Sequence, residues 1–248
     1  MKRFSIVFIL ITFFACSDKG VKVAEHDPNH KMLTNTQLYL EAVTYRNLED
    51  ALYAQEKVIK LTLAKDNLYQ VPPEIAKLPY IQVLDLFRNN ISELPEFLVD
   101  MPYLQHVYLN ENNFTEFPKI LYKCRNVEAV LLKQNQIREI PSDINEMQQL
   151  RHITFTENQI SEVPEKLYEL ENLETLGLRG NSISYISPDI CKLKNLKKLN
   201  LKSNQISSLP DCITRMKIEI ISLGDNPMSE DYVDSLRIMM PDTKIDFK

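Results

Sequence analysis

Residues 196–206 read L-K-K-L-N-L-K-S-N-Q-I, a pattern that recurs every 23 residues along most of the chain. Apolar residues hold its first, fourth and sixth positions. Seven repeats begin at strict intervals and the eighth comes one residue early; the first residues are Val58, Ile81, Leu104, Val127, Leu150, Leu173, Leu196 and Ile218. Self-similarity at such a period predicts a solenoid, in which each unit buries its apolar side against its neighbours.

The alternation within each repeat predicts one short strand. Residues at the fourth and sixth positions face the core, while those at the third, fifth and seventh project from the other face. Asparagine holds the ninth position in seven repeats and is expected to bond the backbone of a buried turn. These residues are Asn89, Asn112, Asn135, Asn158, Asn181, Asn204 and Asn226. A later proline and apolar pair predict a short helical or extended segment on the convex side.

The segments that flank the repeats are expected to cap the solenoid, whose end units would otherwise expose the core. In the N-terminal cap, residues 35–57, Asn47 begins a short helix and residues 38–45 form an extended segment. In the C-terminal cap, residues 229–248, a helix starts at Ser229 and a final strand follows Pro241.

The first residues read as an export signal, predicted over 1–15. Lys2 and Arg3 precede an apolar stretch that is too short to span a bilayer, which needs about 20 apolar residues. The sequence F-F-A-C that ends at Cys16 resembles a bacterial lipobox, which implies lipid attachment at that cysteine. Residues 16–34 are then the lipidated N-terminus and a flexible tether. Ordinary signal cleavage with secretion is the alternative to a lipid anchor in the outer membrane.

The repeat pattern over 58–228 resembles the 23-residue class of leucine-rich repeats, and the flanks at 45–52 and 240–247 are similar to spirochaete members of that class. The resemblance implies an α/β fold: a curved horseshoe with a parallel concave sheet of about eight repeats, short helical or extended convex segments, and a cap at each end. Members of this kind are surface or secreted proteins thought to engage host or other cell-surface molecules. The implied role is binding, with no particular ligand.

Subtraction of the scaffold positions leaves the concave side chains as candidates for ligand binding. Apolar residues from the second to fourth repeats suggest a protein-binding patch, and a small basic group follows farther along. The alternative is that solenoid surfaces vary freely and carry scattered apolar residues without a role. The predicted contact residues are Val83, Phe87, His106, Tyr108, Ala129, Leu131, His152, Thr154, Arg179, Lys198 and Lys202.

The sequence offers little for catalysis, metals or nucleic acid. His106 and His152 stand two strands apart, about 9–10 Å, which is too far for both to bind one metal ion. No catalytic motif is visible, and a net charge of −5 disfavours a nucleic-acid partner. We therefore expect a protein without enzymatic activity, cofactor or metal.

The cysteines of the repeats leave one question open. Cys124 occupies a core position and is expected to be a small buried hydrophobe. Cys191 and Cys212 fall on the convex side of adjacent repeats, where an oxidising compartment permits a disulfide. Their repeat positions differ by two, however, which favours a separation beyond the reach of that bond.

Together these features predict a non-catalytic protein-binding module on the bacterial cell envelope. It would recognise a host or cell-surface protein through the concave sheet. The alternative is a structural envelope protein that self-associates or binds a cell-wall or glycan component. The oligomeric state is left open.

Overall fold

The computed structural model describes residues 21–25, 27, 30–54 and 58–248. The predicted export signal and Cys16 lie outside this part of the chain. Within it, no helix combines the length and apolar character that crossing a membrane requires.

Ten strands form one open parallel sheet in which each strand pairs with its neighbours in sequence. Eight of them, β2 to β9, cover the third to fifth positions of the eight repeats, so the predicted solenoid is confirmed. The strands are β1 Thr44–Tyr45, β2 Lys60–Thr62, β3 Val83–Asp85, β4 His106–Tyr108, β5 Ala129–Leu131, β6 His152–Thr154, β7 Thr175–Gly177, β8 Lys198–Asn200, β9 Ile220–Ser222 and β10 Lys244–Asp246. The face that carries third- and fifth-position side chains is called the concave face.

The convex side of the described repeats consists of short 3-10 helices. Most start beside a proline, whose fixed φ and missing N–H suit the first turn of a helix. Where Ser187 replaces that proline, its hydroxyl caps the turn by accepting a hydrogen bond from the Asp189 N–H. The helices span Pro73–Lys77, Glu96–Asp100, Lys119–Lys123, Ile144–Glu146, Glu165–Glu169, Pro188–Lys192 and Asp211–Arg215.

Among the described residues, three α-helices lie outside the repeats: α1 Asn35–Leu40, α2 Leu48–Ala54 and α3 Glu230–Met239. The side chain of Asn47 caps α2 by accepting from the Asp50 N–H at 2.7 Å. Ser229 caps α3, and β10 follows that helix, as the sequence predicts. The extended segment predicted over 38–45 is wrong except at β1. Thr34 and Gln37 form a capping box that starts α1 instead.

The ninth-position asparagines tie successive repeats together. The amide of Asn135 donates to Leu109 O at 2.9 Å and to Leu132 O at 3.2 Å. Its oxygen accepts from the Phe114 N–H at 3.0 Å. The residue before it, Gln134, has φ 54°, in the left-handed region that side chains other than glycine seldom adopt. Each asparagine thus satisfies the backbone of a strained turn that faces the core.

A disulfide joins Cys191 and Cys212, whose Cα atoms are 6.2 Å apart. The offset of two repeat positions does not prevent the bond, contrary to the sequence argument. Both cysteines lie on 3-10 helices of adjacent repeats, and this Cα separation is within the range that disulfides span. Cys124 is free and buried, as predicted.

Within residues 21–34, here called the strap, the described residues 21–25, 27 and 30–34 run along the side of the first repeats. The Ala24 N–H donates to Ala76 O at 2.7 Å. The ring of His30 packs against those of both Tyr80 and Tyr103, at centroid distances of 4.4 Å and 5.0 Å. The described part of the predicted tether is therefore bound to the solenoid and is not a free linker.

The repeats under the strap carry sequence features that fit this contact. The twenty-third repeat position is tyrosine at Tyr80 and Tyr103, whereas the next four repeats have asparagine or glutamine there. The second position is an uncharged, buried glutamine at Gln82 and Gln105, but is charged in every later repeat. The Leu33 N–H donates to the Gln82 side chain at 2.8 Å. These departures from the repeat consensus mark where the strap packs.

Replacing Asn135 with alanine should lower the free energy of unfolding by about 3 kcal/mol, because buried backbone groups lose their partners. Asn172→Ala is the matched control, since its exposed amide makes a single bond, to Gln148 O. That variant should lose less than about 1 kcal/mol. Urea denaturation measures both values, and equal losses would contradict this role for the asparagine.

The double variant Tyr80→Asn with Tyr103→Asn should release the strap while the sheet persists, because other repeats have asparagine at this position. Trypsin cleavage after Lys31 should accelerate about tenfold, which corresponds to roughly 1.4 kcal/mol of lost docking energy. Tyr185→Asn, on a side chain that is 66% exposed, serves as the control. An unchanged cleavage rate in the double variant would show that the two tyrosines do not hold the strap.

Candidate functional site

A cleft of about 660 Å³ lies between α1 and the concave face of β4 to β8. We call it the concave cleft. One wall comes from α1 and consists of Asn35, Thr36, Tyr39 and Leu40. The floor consists of third- and fifth-position residues of five consecutive strands: His106, Tyr108, Ala129, Leu131, His152, Thr154, Thr175 and Lys198.

Three contacts hold α1 over the sheet. The side chain of Leu38 points inward and is only 2% exposed. Asn35 Oδ1 lies 2.8 Å from His106 Nε2. At the other end of the helix, Lys60 Nζ donates to Leu38 O at 3.1 Å, where a cation also complements the helix dipole. The chain's own N-terminal segment therefore narrows the concave face into a cleft.

Seven of the eleven predicted contact residues line the concave cleft, and four do not. Val83 is buried because it pairs in register with Lys60 and His106, which both bond to α1. From the sequence, Val83 is predicted to be accessible to a ligand, because nothing in the repeat pattern places a helix over that face. Phe87 lies outside the cleft, with Lys65 Nζ 5.9 Å from its ring centroid.

The predicted basic group does not converge in the cleft. Lys198 is a third-position residue and lines it, whereas Arg179 and Lys202 are seventh-position residues beyond the ends of their strands. Lys202 Nζ donates to Lys248 O at 2.7 Å and lies 3.8 Å from Asp225. Of the three residues of the predicted basic group, Lys198 is therefore the one whose side chain lines the cleft.

Sequence reasoning missed the wall that α1 contributes. Tyr39 and Leu40 are 84% and 72% exposed, although the first carries a large aromatic ring and the second is wholly apolar. The signal that could have found the helix is the capping box at Thr34 and Gln37. Thr175 was also missed, although it belongs to the same third-position series as the histidines.

The two histidines of the floor are held neutral near pH 7. Burial lowers the pKa of His106 to about 4, and both the positive charge of Lys60 and the repulsion that a protonated His152 would add act in the same direction. Burial also lowers the pKa of His152, whose Nδ1 lies 3.1 Å from the Thr175 hydroxyl. Asn35 Oδ1 can only accept, so His106 Nε2 carries its proton and Nδ1 accepts from the Tyr108 hydroxyl at 3.2 Å.

The cleft therefore changes in character along the sheet. Its β4–β5 end is aromatic and aliphatic, its centre offers hydroxyl and imidazole groups, and its β8 end carries the ammonium of Lys198. Among the described residues, no group of three histidine, cysteine or acidic side chains is placed to hold a metal ion. The arrangement suits non-covalent recognition of an extended, partly apolar ligand.

Acidification should detach α1 from the sheet. The pKa of His106 is about 4 when α1 is docked and returns toward 6.5 when the helix leaves. The free energy that favours docking of α1 is thus fully present above pH 6.5 and is lost as the pH falls toward 4. At pH 5 the loss is roughly 2 kcal/mol. A fluorophore on Tyr39→Cys would report the release. With the same label, a His106→Gln variant lacks the titrating imidazole, so its fluorescence should change much less with pH. If the fluorescence of both proteins changes equally with pH, His106 is not the group that controls docking.

Comparison with known proteins agrees with this geometry. A family model described as leucine rich repeat matches residues 125–183 and 171–228, and it indicates no enzymatic family. A search of curated proteins finds no match.

Among solved structures, an internalin (inlF) from Listeria monocytogenes is 18% identical, with a TM-score of 0.62 over 82% of this chain and 59% of that one. The chain thus spans about three fifths of that internalin. Internalin C2 (inlC2) from the same organism is 24% identical, with a TM-score of 0.59 over 68% and 72% of the two chains. The PEPR1–AtPEP1 structure is 26% identical, with a TM-score of 0.55 over 64% and 23%.

The family-model matches end at 125 toward the N-terminus, but the sheet continues without a break. Pairing in register from β2 through β9 extends the same unit across all eight repeats. The chain therefore has the solenoid fold of leucine-rich repeats.

Proposed function

We propose that this chain is a non-catalytic protein-binding module whose partner binds in the concave cleft. The observation that carries this proposal is the exposed apolar pair Tyr39 and Leu40, which faces a floor that includes Leu131. Tyr39 and Leu40 lie outside the repeats, and the repeat does not require an apolar residue at its fifth position, which Leu131 occupies. Aromatic and aliphatic side chains that remain exposed in a concave site favour a protein ligand.

The comparisons support the class of this function. Leucine-rich-repeat domains are commonly protein-interaction modules, and the PEPR1–AtPEP1 structure pairs such a chain with AtPEP1. The identity of a partner does not transfer from any of these neighbours to this chain.

For the cellular setting, we propose export and a lipid anchor at Cys16 in the outer membrane, with a host or cell-surface partner. Support comes from the signal-like residues 1–15 and from the F-F-A-C sequence that ends at Cys16. The Cys191–Cys212 disulfide is also typical of an oxidising compartment outside the cytoplasm. Secretion after ordinary cleavage is the alternative.

One observation favours the second candidate function, a structural envelope protein that self-associates. At the N-terminal edge of the sheet, Tyr53 is 96% exposed and Val43 is 68% exposed, near the side of β1 that pairs with no strand of the described residues. Exposed strand edges with apolar neighbours are typical places for pairing with another chain.

Leu131→Glu should reduce capture of surface proteins at least tenfold, because it places a charge in the apolar end of the cleft. The protein used must retain the strap and α1, since they form one wall. Phe87→Glu, on the same face but outside the cleft, should capture as the wild type does. The melting temperature of both variants should stay close to that of the wild type, because neither side chain belongs to the core.

Pull-downs from surface proteins and from envelope extracts, run separately, measure the effect. If Leu131→Glu captures surface proteins as well as the wild type does, the partner does not bind in the concave cleft. Loss of self-association in Tyr53→Ser, together with capture of envelope material alone, would favour the structural role.

A further inference from the structure

We propose that the concave cleft takes an extended acidic peptide segment of its partner. A large apolar side chain of that segment sits at the β4–β5 end, and a carboxylate four or five residues away pairs with Lys198. This inference rests on the proposed function and specifies the chemistry of the ligand. It follows from the lining of the cleft, its charge and its length.

The apolar end is built to receive one large side chain. Tyr39 and Leu40 line the α1 wall of the cleft with most of their surface exposed, and Leu131 lines its floor, half-buried. Ala129 closes the floor with a small side chain. Tyr108 is fixed in place because its hydroxyl bonds to His106 at 3.2 Å. A pocket with exposed apolar surface gains most from an aromatic or branched aliphatic residue.

The opposite end presents a cation that the described protein does not neutralise. Lys197 and Lys202 each have a carboxylate within 4 Å, at 2.6 Å and 3.8 Å respectively. Lys198, between them in sequence, forms no ion pair among the described residues, and no carboxylate lines the cleft. Charge complementarity therefore favours a carboxylate of the ligand at β8 and disfavours a basic ligand.

The centre of the cleft suits a peptide backbone. Thr154 and Thr175 offer hydroxyls that both donate and accept, and His152 is neutral. On β7 the fifth position is Gly177, where an added Cβ would lie 2.9 Å from Thr154 Cβ. The glycine lets Thr154 pack closely over β7, so no side chain rises there to block a chain that crosses the sheet.

The length of the cleft sets the spacing between the two anchors. Leu131 on β5 and Lys198 on β8 are separated by three strand spacings, which is about 14–15 Å. An extended peptide advances about 3.3 Å per residue, so four or five residues cover this distance. A segment of that length can fill both ends without bending.

Panning a phage-displayed random dodecapeptide library against the full chain tests the proposal. Enriched peptides should share a large apolar residue with Asp or Glu four or five positions away. On the Lys198→Glu variant, the preference should shift to Lys or Arg, and the affinity of the wild-type-selected peptides should fall about tenfold. Lys194→Glu, an equal charge change on an exposed residue outside the cleft, should alter neither result.

The outcomes separate this inference from the proposed function. One outcome is that peptides enrich and lose affinity for Leu131→Glu, yet show no preference for Asp or Glu or bind Lys198→Glu as tightly as the wild type. That result overturns the inference, while the cleft remains a binding site. If enriched peptides bind Leu131→Glu as well as the wild type, both are overturned. Failure of any peptide to enrich also overturns the inference, because it rules out a short extended ligand. Circular dichroism of Lys198→Glu checks that the exposed substitution leaves the fold intact.

Discussion

The structure depends on one constraint: each repeat turns sharply away from its strand, and the backbone groups of that turn point into the core. The turns pass through left-handed backbone conformations at residues such as Gln134 and Glu157. This conformation is energetically unfavourable for residues other than glycine. The asparagine that follows each of them satisfies the buried groups of its own repeat and the previous one. Because this amide and the core leucines serve the scaffold, they leave the concave positions free to vary. Ligand recognition can therefore change without loss of the fold.

The concave cleft arises from a departure from that repetition. The strap and α1 pack on the first repeats, where tyrosine and glutamine replace the polar or charged residues found later. The repeats beyond them keep an open face. The same segment thus shapes the concave cleft, so its contacts with Tyr80 and Tyr103 bear on the proposed binding site as well as on stability.

The eight strands, the asparagine bonds, α2 and α3 could all be predicted from the sequence, because a fixed period and local caps determine them. The position of α1 could not, because it depends on contacts such as that of Asn35 with His106, which are 71 residues apart and follow no period. The same holds for Val83, whose burial comes from outside its own repeat. For Cys191 and Cys212, repeat numbering alone overstated the distance, because it ignores how 3-10 helices of adjacent repeats stack.

Hydrogen–deuterium exchange of the chain with and without a captured partner tests the central claim most directly. If the partner binds between α1 and the sheet, protection should increase at residues 35–40 and in β5 to β8 together. The convex helices from 188 to 215 should not change. Protection confined to those convex helices, or to the N-terminal edge at 43–54, would contradict the account.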